Sequence, residues 1–288
     1  MKTIKYQNNV ISFDKIIGFG CSYTAGTELV DHSVLNISAE KSDELKRKMP
    51  IADYYGEISS KFAIGGLSSV FDLQKKYAYI AHLAKKFEVP WENYAYGGSS
   101  LEYVCWLLTK KIYNKEIRDT DLIVIGVTCP NRAFYVKNKE EVMHLQLSRN
   151  VRWPNDEFFE DYLMTFGNED TTIWKYFHQL QYLSSLNEKL NNRIVLLPMS
   201  FPCHEWVKIL FNRRDQDRKK EEQYYIDELK SIRGMMTDDL EPLMLGAFEN
   251  QTVGRTIAPE DLHGYGHCNM KIHEQYAERL YKKLTGES

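Results

Sequence analysis

A serine lies in a turn of small residues directly after a short apolar run near the start of the sequence. The run KIIGF at 15–19 leads into Gly20-Cys21-Ser22, and Gly26 follows. A strand that ends in such a turn presents the serine hydroxyl at the carboxyl edge of a parallel sheet, where α/β proteins place their sites. The pattern fits nucleophilic catalysis by Ser22, with backbone N–H groups of the turn facing a developing oxyanion. It also fits an anion-binding turn or a purely structural turn.

A histidine that could act as the base for this serine lies far along the chain, in the stretch EDLH. A carboxylate on one ring nitrogen fixes the tautomer while the other nitrogen works on the nucleophile, and Asp261 and His263 have the spacing for these two roles. Glu260 is a rival for the orienting carboxylate. His267 and His273 compete with His263 as the base, but His273 falls inside a helical pattern, which favours a structural role.

Two glycines in the stretch NYAYGG at 93–98 could supply a backbone donor to the same site. At Gly97 and Gly98, the N–H group can point into a cleft because no Cβ stands in its way. The stretch is equally compatible with a loop that precedes a helix, and Ser99 or Ser100 fits the N-cap position of that helix.

A third polar stretch, GVTCPNR, closes the most apolar run of the sequence. Thr128 and Asn131 could each donate a side-chain hydrogen bond to an oxyanion. Arg132 could bind an anionic group of a substrate or could pair with a surface carboxylate, which is the commoner role of a single arginine.

The elements that must position these residues follow from apolar patterning. Continuous apolar runs bounded by turn residues predict buried strands at Lys15–Phe19, Leu122–Val127 and Arg193–Leu197. Apolar residues at helical spacing predict helices at Tyr77–Phe87, Leu101–Ile112, Trp174–Leu190 and Met270–Leu284. Strands that alternate with helices indicate an α/β fold in which a parallel sheet is covered on both faces.

Two polar segments do not fit this alternation, at about 137–170 and about 205–250. The first contains the turn signal WPND, and the second contains a charge run that is typical of a solvated helix face. With neither an internal repeat nor a linker rich in proline, glycine or serine, the chain is predicted to be one domain, 1–288, in which both segments are insertions.

Composition excludes several classes of function. The formal net charge of -3 gives no basic excess, so no nucleic-acid partner is expected. The five cysteines are scattered, odd in number and never spaced as CxxC, which argues against a disulfide framework or structural zinc and favours a reducing compartment. Neither a signal peptide nor a membrane span is recognisable, so we expect a cytoplasmic protein without a membrane partner. The oligomeric state is not indicated.

Taken in chain order, the four stretches resemble the SGNH/GDSL hydrolase superfamily, and especially versions found in phage and bacterial genomes whose substrates are unassigned. The resemblance covers about Lys15–Val30, Tyr77–Arg132 and Pro259–Leu284, a little over a third of the chain. It implies a three-layer α/β sandwich around a central parallel sheet (a flavodoxin-like fold) with helical insertions. Gly20-Cys21-Ser22 matches the family's GDS-type turn, with Cys21 where aspartate is usual.

The resemblance also implies roles for the site residues. Ser22 would be the nucleophile, and Asp261 and His263 match a short form of the family's Asp-x-x-His block. The oxyanion hole would consist of the N–H groups of Ser22 and Gly98 and of a side chain. Thr128 takes the position of the family's asparagine, so the side chain of the third donor differs from the family pattern.

Alternatives to three of these assignments stay open. Gly97 is an off-by-one alternative to Gly98, and Asn131 is an alternative to Thr128. Tyr23, Gly97 and Arg132 are candidate substrate contacts. Cys21 as the nucleophile is a weaker idea, because Ser22 holds the family position and a free cysteine is more often a small buried hydrophobe.

The function that follows is hydrolysis of an ester through a Ser–His–Asp acyl-enzyme mechanism, without metal or organic cofactor. A small-molecule or carbohydrate ester, such as an O-acetyl group on a sugar, is the expected substrate by family analogy. One alternative is an acyltransferase that uses the same residues, with the 137–170 segment as a lid that excludes water. Another is a decayed site that serves as a binding or assembly module, because Cys21 and Thr128 depart from the family pattern.

Overall fold

The computed structural model describes residues 1–6, 9–27, 29, 67–130, 132–136, 142–146, 169–199, 203, 219–236 and 268–287. Its strands are β1 (Lys2–Tyr6), β2 (Asn9–Phe13), β3 (Lys15–Phe19), β4 (Trp91–Asn93), β5 (Asp121–Val127), β6 (Arg132–Val136), β7 (Val142–Gln146) and β8 (Ile194–Pro198). Its helices are α1 (Ser22–Ala25), α2 (Leu67–Lys76), α3 (Tyr79–Phe87), α4 (Leu101–Tyr113), α5 (Glu169–Lys189), α6 (Lys219–Ser231) and α7 (Met270–Thr285).

Four parallel strands form the central sheet, in the order β4-β3-β5-β8. Phe19 at the end of β3 pairs with Ile125 of β5, and Val127 at the end of β5 pairs with Pro198 of β8. The carboxyl ends of the two central strands therefore meet at one edge of the sheet, where the candidate site residues follow them.

Side chains of the sheet alternate between two hydrophobic cores, one on each face. On one face, Ile16 and Val124 pack with residues of α3, α7 and the β1–β2 hairpin. On the other face, Ile17 and Ile123 pack with residues of α4, α5 and α6. Because successive residues of a strand point to opposite faces, this division shows that helices cover both sides of the sheet.

Helix α3 lies close to β3 because β3 has a glycine beneath it. A Cβ at Gly18 would lie 2.7 Å from Ile80 Cγ1, so a larger residue would push the helix away. Helix α7 packs beside α3, and the rings of Tyr79 and Tyr276 meet edge to face at 5.2 Å. These two helices form the covering layer on this face.

Two antiparallel hairpins extend the fold beyond the central sheet. The β1–β2 hairpin buries Ile4 and Phe13 in the core beneath α7, and the Phe13 ring meets that of Phe87 at 5.1 Å. The β6–β7 hairpin begins at Arg132, just beyond the carboxyl edge of the sheet.

The outer edge of β8 is covered by the segment 234–236. The Leu196 N–H donates to the Gly234 carbonyl at 2.7 Å, and the Met236 N–H donates to the Leu196 carbonyl at 2.9 Å. The Tyr6 hydroxyl also donates to the Gly234 carbonyl, at 2.7 Å, so the β1–β2 hairpin and this segment are joined.

The α/β fold with a central parallel sheet predicted from the sequence is confirmed. Strand β3 has the predicted bounds, β5 begins one residue early, and β8 is shifted by one residue. Helix α5 begins at Glu169 rather than Trp174, so it starts inside the first predicted insertion, which also contains β7. The second predicted insertion contains α6, whose Leu229 is buried in the core. None of the described helices is both long and apolar enough to cross a membrane.

Candidate active site

Ser22 opens the short helix α1 immediately beyond the end of β3. Gly20 has a φ of 148°, which side chains rarely allow, and Cys21 returns to extended backbone before α1 begins. Gly26 ends the helix in the left-handed region, with a φ of 73°. We call residues 20–26 the Ser22 turn. Ser22 is 6% exposed, so it lies at the floor of the carboxyl edge rather than on an open surface.

The side chain of Thr24 fills the space between the Ser22 turn and the end of β5. A Cβ at Gly20 would lie 2.4 Å from Thr24 Oγ1, and one at Gly126 would lie 2.1 Å from the same atom. Both glycines are therefore required for Thr24 to fit, and Thr24 is fully buried. Gly126, part of the third polar stretch of the sequence, thus has a packing role that brings β5 against α1.

Asn93 connects the Ser22 turn to residues 94–98, which we call the Gly98 loop. Its Nδ2 donates to the Thr24 carbonyl at 2.7 Å, and its Oδ1 accepts from the Ala95 N–H at 3.1 Å. The Tyr96 N–H donates to the Gly20 carbonyl at 3.1 Å. The two loops are therefore held side by side by hydrogen bonds at both ends of the Ser22 turn.

The Gly98 loop passes close to the end of α1. A Cβ at Gly97 would meet Thr27 Oγ1 at 3.8 Å, an ordinary contact distance, whereas Gly98 has a left-handed φ of 79°. The Ser100 hydroxyl accepts from the Tyr103 N–H at 3.1 Å and caps α4, one of the two capping alternatives left open by the sequence. The loop therefore combines the predicted capping role with a position beside the Ser22 turn.

Thr128 follows β5 directly and is 2% exposed. Its Oγ1 accepts a hydrogen bond from Arg132 Nη1 at 3.1 Å and lies 3.9 Å from Cys129 Sγ, to which it can donate weakly. Because Arg132 occupies one lone pair of the hydroxyl, the Thr128 proton is directed away from the guanidinium. This geometry is compatible with Thr128 as a hydrogen-bond donor.

Arg132 lies against the Ser22 turn as well as against Thr128. The Cys21 thiol lies close to its guanidinium. Burial opposes the charge of Arg132, whereas Cys129, Cys21 and Tyr23 favour that charge in their ionised forms, and the pKa of Arg132 lies above its ordinary value. The predicted pairing of Arg132 with a surface carboxylate is not seen among the described residues.

Tyr23 and the cysteines of the site are buried. Burial raises the pKa of the Tyr23 hydroxyl and that of the Cys129 thiol. Tyr23 is 3% exposed and Cys21 is fully buried. All five cysteines of the chain are free thiols and all are buried. Tyr23 thus belongs to the core beneath the site, together with Cys21 and Cys268.

The predicted base and its carboxylate, His263 and Asp261, lie outside the described residues, as do Glu260, His267 and Asn131. The assignments of these residues therefore stay predictions. The described chain resumes at Cys268, which shares the buried core with Cys21 and Tyr23. His273 is fully engaged in that core: its Nδ1 accepts from the Tyr79 N–H at 3.1 Å, and its ring stacks on that of Tyr79.

Two residues that position the site were not singled out for that role by sequence reasoning. Thr24 and Asn93 act through contacts between segments that are distant in sequence, and neither makes a recognisable motif alone. The sequence did contain one signal for Thr24. A glycine lies near the end of each of two apolar runs, Gly20 and Gly126, and Thr24 is a polar residue close to the first of them. Within the described part of the chain, no group of three or more histidine, cysteine, aspartate or glutamate side chains could hold a metal ion.

No protein-family model and no curated protein matches the chain. Solved structures do match it. A G-D-S-L family protein from Desulfitobacterium hafniense has 12% identity and a TM-score of 0.40, over 94% of this chain and 99% of that one. LAE5, an alpha/beta hydrolase from the Lake Arreo metagenome, has 15% identity and a TM-score of 0.46, over 96% and 97% of the two chains.

A third similar structure is an acetyl xylan esterase from the rumen bacterium Butyrivibrio proteoclasticus. It has 12% identity and a TM-score of 0.43, over 98% of this chain and 66% of that one. The G-D-S-L family is the one that the sequence motifs resemble. None of these similarities assigns a role to a residue of this chain.

Proposed function

We propose that this chain is an SGNH-type serine hydrolase that cleaves an ester through a covalent acyl-enzyme. Ser22 is the nucleophile, His263 is the general base and Asp261 orients the imidazole. The observation that carries the proposal is the meeting of the Ser22 turn, the Gly98 loop and Thr128 at one carboxyl edge of the sheet, joined through Thr24, Asn93 and Arg132.

The position of Cys268 supports the participation of His263. Cys268 is buried in the core cluster that contains Cys21, the residue before Ser22. His263 precedes Cys268 by five residues. An extended chain spans at most about 3.6 Å per residue, so the histidine backbone is held within roughly 18 Å of Cys268. This tether length is compatible with a position of His263 at the carboxyl edge of the sheet.

In the proposed reaction, His263 accepts the hydroxyl proton of Ser22 while Ser22 Oγ attacks the ester carbonyl. The resulting oxyanion accepts hydrogen bonds from the N–H groups of Ser22 and Gly98 and from the side chain of Thr128 or Asn131. The imidazolium then gives its proton to the leaving alkoxide, and an acyl-Ser22 ester remains. Water, deprotonated by His263, attacks that ester and releases the carboxylic acid with Ser22 regenerated.

A comparison of Ser22→Ala with the unmodified protein tests this proposal on aryl acetates, longer-chain aryl esters and acetylated sugars. We expect the substitution to lower kcat/KM by about 10³-fold or more, because no covalent intermediate can form. The matched control is Ser231→Ala, which removes an exposed hydroxyl that only bonds the Glu228 carbonyl within α6. Its activity should equal that of the unmodified protein.

Labelling with a fluorophosphonate probe separates a working site from a decayed one. We expect stoichiometric labelling at Ser22, lost in Ser22→Ala and retained in Ser231→Ala. Undiminished ester turnover by folded Ser22→Ala, or an inert Ser22, would refute the assignment. Adding alcohol acceptors to the same assay measures acyl transfer against hydrolysis.

A further inference from the structure

Arg132 is a half-buried cation at the candidate active site, with no carboxylate partner among the described residues. Its Nη1 donates to Thr128 Oγ1 at 3.1 Å, but its Nε is buried without any hydrogen-bond partner. The other acceptor near it is the Cys21 thiol, which is a weak one. Burying a charge without an anionic partner is costly, so such a group in a folded protein usually has an anion to bind.

The described residues around Arg132 do not supply that anion. Burial raises the pKa of Cys129 above 9.0, and burial also raises that of the Tyr23 hydroxyl, so both groups are neutral at physiological pH. The exposed arginine Arg233, by contrast, has Glu188 at 3.4 Å. Arg132 thus differs from an ordinary paired arginine in both burial and partner.

One side of the guanidinium is held by the protein, and another has no hydrogen-bond partner in the described part of the chain. The bond from Nη1 to Thr128 fixes one side of the planar group, and the edge that contains Nε has no oxygen acceptor among the described residues. The Nε–Nη2 edge of arginine is the one that binds a carboxylate through two parallel hydrogen bonds. Arg132 lies close to Cys21, the residue before Ser22, so the guanidinium is near the serine that would be acylated.

We propose that Arg132 forms an anion subsite, and that the ester cleaved by this protein carries a carboxylate close to the scissile bond. This inference rests on the proposed function, since it places the carboxylate relative to Ser22. The carboxylate belongs either to the acyl half, as in a hemiester of a dicarboxylic acid, or to the alcohol half, as in an acetylated hydroxy acid. Arg132 is then a specificity-determining residue, not part of the acid–base machinery.

Matched ester pairs test the subsite. Phenyl hydrogen succinate and methyl phenyl succinate differ only in the charge of the acyl half, and 3-acetoxybenzoate and its methyl ester differ only in the charge of the alcohol half. We expect the charged member of one pair to be preferred in kcat/KM by about 10- to 100-fold, the worth of a charge-assisted hydrogen-bonded pair. The pair that shows the preference identifies the half that carries the carboxylate.

Substitution of Arg132 tests whether the preference for the charged ester depends on this side chain. In Arg132→Gln, the charged ester should lose about 10- to 100-fold while the neutral ester changes far less, so the preference disappears. Arg132→Lys keeps the charge without the planar fork and should retain part of the preference. Arg233→Gln removes an exposed paired arginine and should keep the full preference. An equal loss for charged and neutral esters in Arg132→Gln would overturn the subsite and leave Arg132 as a support for Thr128.

Binding to Ser22→Ala distinguishes failure of this inference from failure of the proposed function. Calorimetric titration of Ser22→Ala with the preferred hemiester should show binding that is lost when Arg132→Gln is added. If the unmodified protein hydrolyses no ester but Arg132-dependent binding is present, the hydrolase assignment fails and the anion subsite stands. If esters are hydrolysed through Ser22 without any preference for the charged member of either pair, the subsite is refuted and the hydrolase assignment stands.

Discussion

A single threonine hydroxyl determines how closely three segments approach one another at the site. Thr24 Oγ1 lies where a Cβ of Gly20 or of Gly126 would have to stand, and it also lies 3.4 Å from the Tyr79 hydroxyl and 3.6 Å from Met199 Sδ. Protein interiors have few voids, so an added methyl group here must displace an existing atom. This packing requires glycine at both positions, independently of the chemistry at the site.

We predict that Gly126→Ala destabilises the protein by about 1–3 kcal/mol, because the new Cβ overpacks a filled space. The added atom would lie 2.1 Å from Thr24 Oγ1 and 2.8 Å from Met199 Cγ. Denaturant unfolding measures the effect. The control is Gly97→Ala, whose Cβ would meet its nearest neighbour at 3.8 Å and should leave the unfolding midpoint unchanged.

A double-mutant cycle tests whether Thr24 causes the destabilisation by Gly126→Ala. Thr24→Ala removes Oγ1, so Gly126→Ala should cost less in that background, by about 1 kcal/mol. Additive losses in the double variant would show that Thr24 is not what excludes the side chain at 126.

At the scale of elements, Asn93 holds the Gly98 loop against α1. Asn93→Asp keeps the acceptor for the Ala95 N–H but loses the donor to the Thr24 carbonyl. We predict a loss of about 1–3 kcal/mol in the free energy of unfolding, because a buried carboxylate then faces a carbonyl oxygen. The ester hydrolysis rate should also fall, because the Gly98 N–H moves relative to Ser22.

Asn191→Asp, in the turn that follows α5, serves as the matched control. It makes the same chemical change far from the site and should leave kcat/KM as in the unmodified protein. Normal hydrolysis and stability in Asn93→Asp would contradict the role given to Asn93.

The packing of α3 against α7 is predicted to depend on pH through His82. Burial lowers the pKa of His82 below 6.5, although Glu274 at 4.0 Å opposes the shift, and His82 Nε2 is buried without a partner. The unfolded chain therefore binds this proton more readily than the folded chain does. The stabilisation is complete above pH 6.5 and is lost as the pH falls through that value toward the lower pKa of the folded state.

His82→Gln should accordingly show a smaller drop in Tm than the unmodified protein between about pH 7.5 and about pH 5.5. His178→Gln, which changes an exposed histidine of α5, is the control and should follow the unmodified protein. Parallel curves for His82→Gln and the unmodified protein would show that His82 does not contribute to the pH dependence.

At the scale of the whole molecule, the carboxyl and amino ends of the sheet strands have different roles. The carboxyl edge carries the candidate site, and the amino edge carries an ion-pair network in which Asp121, fully buried at the start of β5, pairs with Arg118 at 2.8 Å. Arg118 also pairs with Asp14 at 2.7 Å. Stability and activity should therefore respond separately to changes at the two edges.

We predict that Asp121→Ala lowers the free energy of unfolding by about 1–3 kcal/mol, because the backbone N–H and the guanidinium of Arg118 lose their hydrogen bonds to Asp121. The kcat/KM of the remaining folded protein should stay within about two-fold of the unmodified value, because β5 holds its register along its whole length. Glu188→Ala, which breaks an exposed pair with Arg233, should cost less than about 1 kcal/mol. A marked loss of kcat/KM in Asp121→Ala would show that the two edges are coupled.

The sequence was informative where a pattern is local. The apolar runs of β3, β5 and β8 are each buried along most of their length, and such runs can be read without knowing their partners. The β1–β2 hairpin was not predicted, because KTIKY is short and its burial depends on α7, far away in the chain.

The same distinction between local patterns and long-range contacts applies to the candidate site. Ser22, Gly98 and Thr128 could be proposed from turns of small residues after apolar runs. The bond from Asn93 to Thr24 joins residues 69 positions apart, and the bond from Arg132 to Thr128 leaves the guanidinium facing a thiol rather than a carboxylate. Such contacts depend on the tertiary arrangement and cannot be inferred from the spacing of residues in a single sequence.

The covering of one sheet face by α7 has a consequence for how this chain is made. The Tyr6 hydroxyl bonds the Gly234 carbonyl across 228 positions, and the Tyr79 N–H bonds His273 across 194. While the ribosome is still adding residues, the apolar sides of β1, β3 and α3 have no α7 to cover them. Until α7 has been synthesised, the nascent chain therefore exposes an apolar surface that chaperones can bind, and this face of the sheet is completed late in folding.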